Sequence, residues 1–172
     1  EWLLSEQPEQ NAERYEPEYE EWLERLESVV DILSTFELHH EVIRARVTIA
    51  LFRSVEGDKE AAIAEYEAVL ELEEQLMRPQ YLHSILSNLA NLHLRVGNLE
   101  DAKLYNDLAL RALRDSNLNS ELTYNWYLAS RIAEEAGDFD EACSYVAAAV
   151  NSHGEDVAPN FIVEQQQSLP CG

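Results

Sequence analysis

The segments GDKEAA at residues 57–62, GNLEDA at 97–102 and GDFDEA at 137–142 share one pattern. In each, a short polar residue follows a glycine, and an alanine stands five positions after that glycine. The three copies begin 40 residues apart, at positions 57, 97 and 137. A fixed period in this range is typical of proteins built from stacked repeats, in which each unit buries its apolar face against its neighbours. Such proteins usually work as binding surfaces, so the repeat bears on function as well as on fold.

Helical signals flank each of the three glycines. Apolar residues precede and follow Gly97 at the spacing of a helix face. A glycine suits the left-handed residue at which a helix ends, and the Asp or Asn after it is a good N-cap for the next helix. The second and third copies also have an acid three residues after that cap, whereas the first copy has Ala61 there, which predicts a weaker cap. Each copy therefore predicts a helix A, a tight turn and a helix B.

These positions resemble the tetratricopeptide repeat. The residues that carry the resemblance are Leu86, Leu89, Ala90, Gly97, Leu99, Ala102 and Ala109 in the second copy, and Trp126, Ala129, Ser130, Gly137, Phe139, Ala142 and Ala149 in the third. The first copy departs from the pattern, because Arg46 replaces the early bulky residue and Val69 the second small one. Helices A and B approach closely only where side chains are short, so Ala102 and Ala142 are expected to be buried between them. The period is longer than the family's usual length of about 34 residues, which implies longer helices or longer links.

The resemblance implies an all-α fold, a right-handed α-solenoid of three helical hairpins with capping helices at both ends. Residues 1–37 form an acidic N-terminal segment with a predicted capping helix at about 18–34. Residues 38–153 hold the repeats, at about 38–77, 78–117 and 118–153. Residues 154–172 form a C-terminal tail, in which a short helix could cover the exposed edge of the third copy.

The charge of the chain excludes two classes of partner. The formal net charge is −22, and only 12 Lys and Arg residues are spread over 172 positions. Binding to duplex nucleic acid needs clustered cations, and an anionic membrane surface would repel this chain. No apolar run approaches the roughly 20 residues of a membrane span. We therefore expect neither direct nucleic-acid binding nor membrane insertion, and interpret the acids either as a solvated surface or as an attraction for a basic partner.

The two cysteines do not indicate a disulfide framework. Cys143 follows an alanine in helix B of the third copy and is expected to be a small packing residue. Cys171 stands in the terminal tail and is expected to be free. This cysteine usage favours the cytoplasm, with a periplasmic sensor domain as the alternative.

The sequence contains no recognisable enzyme constellation, so we predict a protein that is not an enzyme and uses no cofactor or metal. The most metal-like cluster is His39, His40 and Glu41. Neighbouring residues of a helix point about 100° apart, whereas two metal ligands on one helix need a spacing of three or four. A surface position at a helix start explains the cluster better, and neither a phosphate loop nor a nucleophile motif is present.

The resemblance places helix A of each copy along a concave groove. The groove positions that alignment on the glycines gives are Arg44, Val47, Thr48 and Leu51 in the first copy, Ser84, Ser87, Asn88, Asn91 and Arg95 in the second, and Tyr124, Tyr127, Leu128 and Arg131 in the third. The candidate ligand-binding residues among them are Arg44, Asn88, Asn91, Arg95, Tyr124, Tyr127 and Arg131. Side-chain amides suit the main chain of an extended peptide, arginines suit a carboxylate, and tyrosines supply apolar area with a polar tip.

Two functions are consistent with this sequence. The first is a non-catalytic binding module for a protein or peptide segment. The resemblance to long-period repeats of bacterial regulators implies that it is the sensory or regulatory part of a larger signalling or transcription protein. The second is a structural assembly module that self-associates, for example as a homodimer, through its end helices. Ordinary exposed Asn and Arg residues on solvated helices would give the same groove pattern, so the groove itself stays a prediction.

Overall fold

The computed structural model describes residues 16–74, 81–116, 122–152 and 158–171. Every regular element within these ranges is an α-helix. The helices are α1 (Glu16–Thr35), α2 (His39–Glu56), α3 (Lys59–Glu74), α4 (Leu82–Arg95), α5 (Leu99–Asp115), α6 (Leu122–Glu135), α7 (Phe139–Asn151) and α8 (Asn160–Ser168). The segment 1–15, which the sequence analysis placed before the N-terminal helix, lies outside the described residues.

The three glycines join the helices in pairs, α2 with α3, α4 with α5 and α6 with α7. Gly57, Gly97 and Gly137 all have positive φ angles, of 92°, 79° and 80°, as the turn pattern predicts. The residue after each glycine caps the next helix through its side-chain oxygen, at 3.1 Å in the first copy, 3.3 Å in the second and 3.0 Å in the third. The cap of the first copy is therefore present although the acid three residues later is missing.

The same kind of turn joins α1 to α2, but without a glycine. The Leu38 N–H donates to the Leu33 carbonyl oxygen at 3.2 Å, as the Asn98 N–H donates to the His93 carbonyl at 2.9 Å in the second repeat. Glu37 takes the position that glycine takes elsewhere, with φ at 55°. A left-handed conformation costs a residue with a Cβ atom roughly 1–2 kcal/mol, so this turn carries strain that the glycine turns avoid.

The helices stack in chain order, and the first helices of neighbouring repeats, α4 and α6, also contact each other. Side chains from α2, α3 and α4 form one core cluster, and those from α6, α7 and α8 form another. Ala102 and Ala142 are both fully buried, which confirms the predicted close contact of helices A and B. At this contact the Ser130 hydroxyl of α6 donates to the Ala142 carbonyl oxygen of α7 at 3.0 Å. The all-helical solenoid predicted from the repeat is thereby confirmed.

A charged cluster explains why the first copy departs from the repeat pattern. The guanidinium of Arg46 on α2 lies 2.8 Å from the carboxylate of Glu65 on α3. Arg53, two turns further along the same face of α2, lies 2.9 Å from Glu27 on α1 and 3.9 Å from Glu65. Arg46, at a position that is apolar in the other copies, therefore pairs with α3, and through the shared Glu65 it belongs to a charged cluster that extends to α1.

The C-terminal segment folds back onto the last repeat. α8 contacts α7 and α6, and its Ile162 is fully buried against the core cluster there. The Sγ atoms of Cys143 and Cys171 are joined in a disulfide, with Cα atoms 5.6 Å apart. The expectations of a free Cys171 and of a Cys143 that only packs were wrong. They failed because the sequence, although it allowed a short helix over the edge of the third copy, did not show that docking of this helix returns residue 171 to the side of α7.

Candidate functional site

Side-chain contacts and electrostatic interactions link several of the predicted groove residues of α4 and α6. The Asn88 amide nitrogen donates to the hydroxyl of Tyr66 on α3 at 3.1 Å. Tyr66 is almost wholly buried, and burial raises its pKa above the ordinary value, as does the nearby Tyr124. Asn88 is therefore held by a buried partner and presents only part of its surface. We call Asn88, Arg95, Tyr124, Tyr127 and Arg131 the A-helix strip.

Aromatic side chains form the middle of the A-helix strip. The rings of Tyr124 and Tyr127, one turn apart on α6, have centroids 6.4 Å apart. Burial of the Tyr124 hydroxyl raises its pKa to about 12, although the residue as a whole is partly exposed. Tyr127 also packs edge-on against Phe161 of α8, with centroids 4.8 Å apart. The C-terminal helix thus adds an aromatic residue to one end of the strip, which the repeat alignment could not anticipate.

The two arginines of the A-helix strip differ in how far their charge is neutralised. Arg131 donates to the Tyr127 hydroxyl at 3.1 Å and lies 3.7 Å from the Glu134 carboxylate, which also accepts from Gln165 of α8 at 2.7 Å. Arg95 donates to the Ser54 hydroxyl of α2 at 3.1 Å. No ion pair within the described residues involves Arg95. Arg95 is therefore a cation without a carboxylate partner in a strongly acidic protein.

Asn91 lies between Asn88 and Arg95 on α4 and is half-buried. Within the part of the chain that the structure describes, its amide makes no hydrogen bond to another group, since every side-chain hydrogen bond of α4 there involves other residues. Donors and an acceptor at this position are therefore available to a ligand.

Arg44 lies apart from the A-helix strip. It borders a depression of about 470 Å³ at the junction of α1, α2 and the start of α4. The residues around this depression are Val29, Leu33, Glu41, Ile43, Arg44, Ala45, Val47, Thr48 and Tyr81. Neither a hydrogen bond nor an ion pair among the described residues joins the Arg44 side chain to the strip. Tyr124, Tyr127 and Arg131 therefore contact one another in turn. Asn88 is linked to them through Tyr66, and Arg95 through the electrostatic effect of its charge on Tyr124. Asn91 lies beside Asn88 on α4, and Arg44 lies at a separate depression.

Two further groove positions are buried rather than open. Leu128 belongs to the core, and Ser87 is buried with its hydroxyl donating to the Asn125 amide oxygen at 3.1 Å. Asn125 in turn exchanges hydrogen bonds with Asn106 of α5, at 2.9 and 3.2 Å. Sequence reasoning missed this buried polar layer between α4, α5 and α6. A signal was present, because Asn106 stands 40 residues after Tyr66 and 40 before Val146, at a position that is buried in each repeat.

The histidines in the described ranges do not form a metal site. Among the described residues no group of three or more His, Cys, Asp or Glu side chains could hold a metal ion. His39 and His40 are exposed at the start of α2. His93 is buried and stacks on Tyr105, with ring centroids 5.3 Å apart. In the described ranges no helix is both long and apolar enough to cross a membrane.

One of the three repeats matches a known family of helical repeats. Residues 43–76 match the model of the tetratricopeptide repeat. The matched segment covers most of α2 and α3, the copy that departs furthest from the pattern in its individual residues. The match supports the resemblance drawn from the residues. Tetratricopeptide repeats generally mediate protein–protein interaction, and folds of this kind are typically non-catalytic binding modules.

A solved structure shares the fold. The chain superposes on the crystal structure of BtubC (BKLC) from P. vanneervenii with a TM-score of 0.63 and 20% identity. The alignment covers 83% of this chain and 57% of that one, so this chain spans a little over half the length of its structural neighbour. Identity at this level shows the fold alone. No curated protein matches the chain by sequence.

Proposed function

We propose that this chain is a non-catalytic module that binds an extended protein or peptide segment along the A-helix strip. The observation that carries the proposal is Arg95, which has no carboxylate partner among the described residues and whose charge acts on Tyr124 of α6. Most charges of this protein are negative, so a guanidinium that lacks a carboxylate partner has retained its capacity to pair with a ligand's acid. The tyrosines beside it offer apolar area at low conformational cost.

The ligand class follows from the order of groups along the strip. Asn91 offers a free amide for a peptide backbone, and Arg95 and Arg131 suit an acidic side chain or a C-terminal carboxylate. Glu134 already shares the charge of Arg131, so Arg95 is the stronger anchor of the two. An acidic or C-terminal peptide segment is therefore the ligand that this surface fits best.

We also propose that the module is the sensory or regulatory part of a larger bacterial signalling or transcription protein. The support is the resemblance of its 40-residue period to the long repeats of bacterial regulators.

The disulfide between Cys143 and Cys171 changes the expected compartment, because disulfides persist mainly in oxidising environments. It favours the periplasmic alternative over the cytoplasm.

Peptide-array screening followed by titration calorimetry tests the binding function. Loss of one charge-assisted contact is worth roughly 1.5–3 kcal/mol, so Arg95→Ala should weaken a selected peptide by about tenfold or more. Asn91→Ala and Arg131→Ala should each weaken it by a smaller factor, because Asn91 is uncharged and Glu134 already shares the charge of Arg131. Arg111→Ala, which removes an exposed arginine of α5 away from the strip, is the matched control and should bind as the wild type does. Unchanged affinity in all three variants would move the site elsewhere.

The second candidate is a structural assembly module, and one observation favours it. The two ends of the stack differ, because α8 covers the last repeat whereas α1 leaves large apolar side chains exposed. Light scattering at several concentrations separates the two functions. A mass that rises with concentration indicates self-association, and a constant monomer mass favours the binding module.

A further inference from the structure

A cleft of about 240 Å³ lies between α5, the second half of α6 and the start of α7. We call it the α5–α7 cleft. Three alanines of α6 line it, and they are Ala129, Ala133 and Ala136. At about 100° per residue, these alanines lie on the side of α6 opposite Tyr124, Tyr127 and Arg131. The cleft is therefore a surface separate from the A-helix strip.

Comparison of the repeats explains why the cleft exists. The residues that stand 40 positions before the three alanines are Leu89, His93 and Val96, and those that stand 80 positions before them are Ile49, Arg53 and Glu56. Every one of these side chains is larger than that of alanine. The third repeat has thus lost side-chain volume at three positions on one face of helix A, and the space that the first two repeats fill stays open.

The middle position of the three shows what fills this space in the earlier repeats. Arg53 reaches from α2 to α1, where its guanidinium lies 2.9 Å from the Glu27 carboxylate. His93 is buried and stacks on Tyr105 of α5, with ring centroids 5.3 Å apart. Its Nδ1 atom lies 3.9 Å from the Asp101 carboxylate. In both repeats a basic side chain of helix A therefore reaches an acid on a neighbouring helix.

The groups that receive these basic side chains are retained around the α5–α7 cleft. Residues of the cleft stand a whole number of repeats after them, since Asp107 corresponds to Glu27, Glu141 to Asp101 and Tyr145 to Tyr105. Burial, together with Glu141 and Asp107, raises the pKa of Tyr145 to about 12. Burial and acids at the same repeat positions, Glu67 and Asp101, also raise the pKa of Tyr105. The third repeat thus keeps the receiving groups but has Ala133 in place of the basic side chain.

The α5–α7 cleft carries an excess of negative charge. Glu141 accepts a hydrogen bond from the Tyr145 hydroxyl at 2.9 Å and lies 3.8 Å from the ammonium of Lys103. Asp107 is half-buried and Glu100 exposed, and neither has an ion pair within the described residues. The lysine of the cleft already pairs with Glu141, so Asp107 lacks the basic partner that its counterpart Glu27 has.

We propose that the α5–α7 cleft takes an arginine side chain of a partner protein, in the place that Arg53 and His93 fill from within the chain. The guanidinium pairs with Asp107 and lies against the ring of Tyr145, while the aliphatic stem covers the alanines of α6. Arginine suits the cleft better than lysine, because its planar group both pairs with a carboxylate and stacks on an aromatic ring.

The charge of the cleft also favours a side chain over a free amino acid. The α-carboxylate of free arginine would lie close to Glu100 and Glu141, whereas the backbone of a protein carries no such charge. A basic partner also suits a chain with a formal net charge of −22. This site goes beyond the peptide binding proposed above and does not depend on it.

NMR titration of the isotope-labelled whole chain tests the proposal. The probe is the capped peptide acetyl-Ala-Arg-Ala-amide, which has no terminal charges. The comparison ligands are free arginine and the same capped peptide with lysine or with citrulline, the uncharged counterpart of arginine. The chain variants are Asp107→Asn, which removes the charge at nearly constant shape, and Ala133→Arg, which supplies the side chain from within. The matched control is Asp115→Asn, at an exposed acid on the same helix.

The arginine peptide should shift the amide resonances of Asp107, Ala133 and Tyr145 saturably, and it should bind more tightly than the other ligands. Asp107→Asn should weaken it by about tenfold. Ala133→Arg should abolish the shifts without lowering Tm, because its counterparts hold such side chains. Asp115→Asn and Arg95→Ala should bind as the wild type does, which separates this site from the A-helix strip.

Three results would overturn the proposal. The first is full affinity in Asp107→Asn or the absence of saturable shifts around the cleft. The second is tighter binding of free arginine than of the capped peptide, which would assign the cleft to a small molecule. The third is a large fall in Tm for Ala133→Arg, because the position would then not accept the side chain that the first repeat holds there.

Discussion

The disulfide that anchors the C-terminal helix makes a quantitative prediction. Cys143 and Cys171 are separated by 28 positions, and a loop of that length loses closure entropy worth roughly 3.5 kcal/mol in the unfolded chain. Reduction, or the change Cys171→Ala, should lower the free energy of unfolding by up to about that amount. For a chain of this size the loss corresponds to a fall of about 10 °C in Tm. Ile162 and Leu169 remain buried in the interface, so α8 should dock more weakly rather than leave the fold.

Thermal unfolding followed by circular dichroism, with and without dithiothreitol, measures the effect. The double variant Cys143→Ala with Cys171→Ala is the control, and its Tm should not respond to the reductant. Hydrogen exchange should show the largest loss of protection in α8 and in the α7 turns that it covers. A wild-type Tm that is the same in both buffers, or two thiols that titrate in the native protein without reductant, would refute the reasoning.

Three further predictions concern the helical frame. Ala102→Leu and Ala142→Leu should each overpack a helix A–helix B contact and cost roughly 1–3 kcal/mol, and unchanged urea midpoints in both would contradict the alignment of the repeats. Glu37→Gly should relieve the strain of the left-handed turn but also raise the entropy of the unfolded chain, with a net rise of up to about 1 kcal/mol in the free energy of unfolding. A urea midpoint below that of the wild type would show that the turn is unstrained. Burial, together with Glu141, raises the pKa of Tyr145 to about 12, and burial raises that of Tyr124 similarly. In the unfolded chain a tyrosine has a pKa of about 10, so the stability gained from keeping these two tyrosines neutral is complete below pH 10 and should be lost as the pH rises towards 12. Urea midpoints measured across this pH range should therefore fall, and a constant midpoint would contradict the reasoning.

The sequence predicts the helical frame well because its determinants are local. A left-handed glycine and the cap after it each act within one turn of the chain, and the small residue at position 62, 102 or 142 acts between two helices that follow each other directly. The fixed period makes all of them visible. The turn at Glu37 was missed for the same reason, since nothing in a glutamate signals a left-handed conformation. There the packing of α1 on α2 imposes the turn on an unfavourable residue.

The features that could not be predicted depend on contacts between distant segments. The disulfide forms because α8 docks. A C-terminal helix over the third copy was expected, but no local pattern fixes which residues its docking brings together. The buried layer of Ser87, Asn106 and Asn125 depends on three helices meeting, so each residue alone looks like an ordinary polar position, and only the 40-residue spacing of Asn106 from Tyr66 and Val146 signals burial. Within the candidate site, the helix A residues were predicted from the family resemblance aligned on the repeated glycines, and they stay a prediction. Their buried partner Tyr66 and the contribution of Phe161 come from other elements.

The most direct test of the central claim is the crystal structure of the chain bound to the peptide that the array selects. We predict that the peptide lies extended along α4 and α6, with its carboxylate on Arg95 and its backbone on Asn91, against Tyr124 and Tyr127. A peptide bound on the outer surface of α3, α5 and α7, away from these residues, would contradict the account.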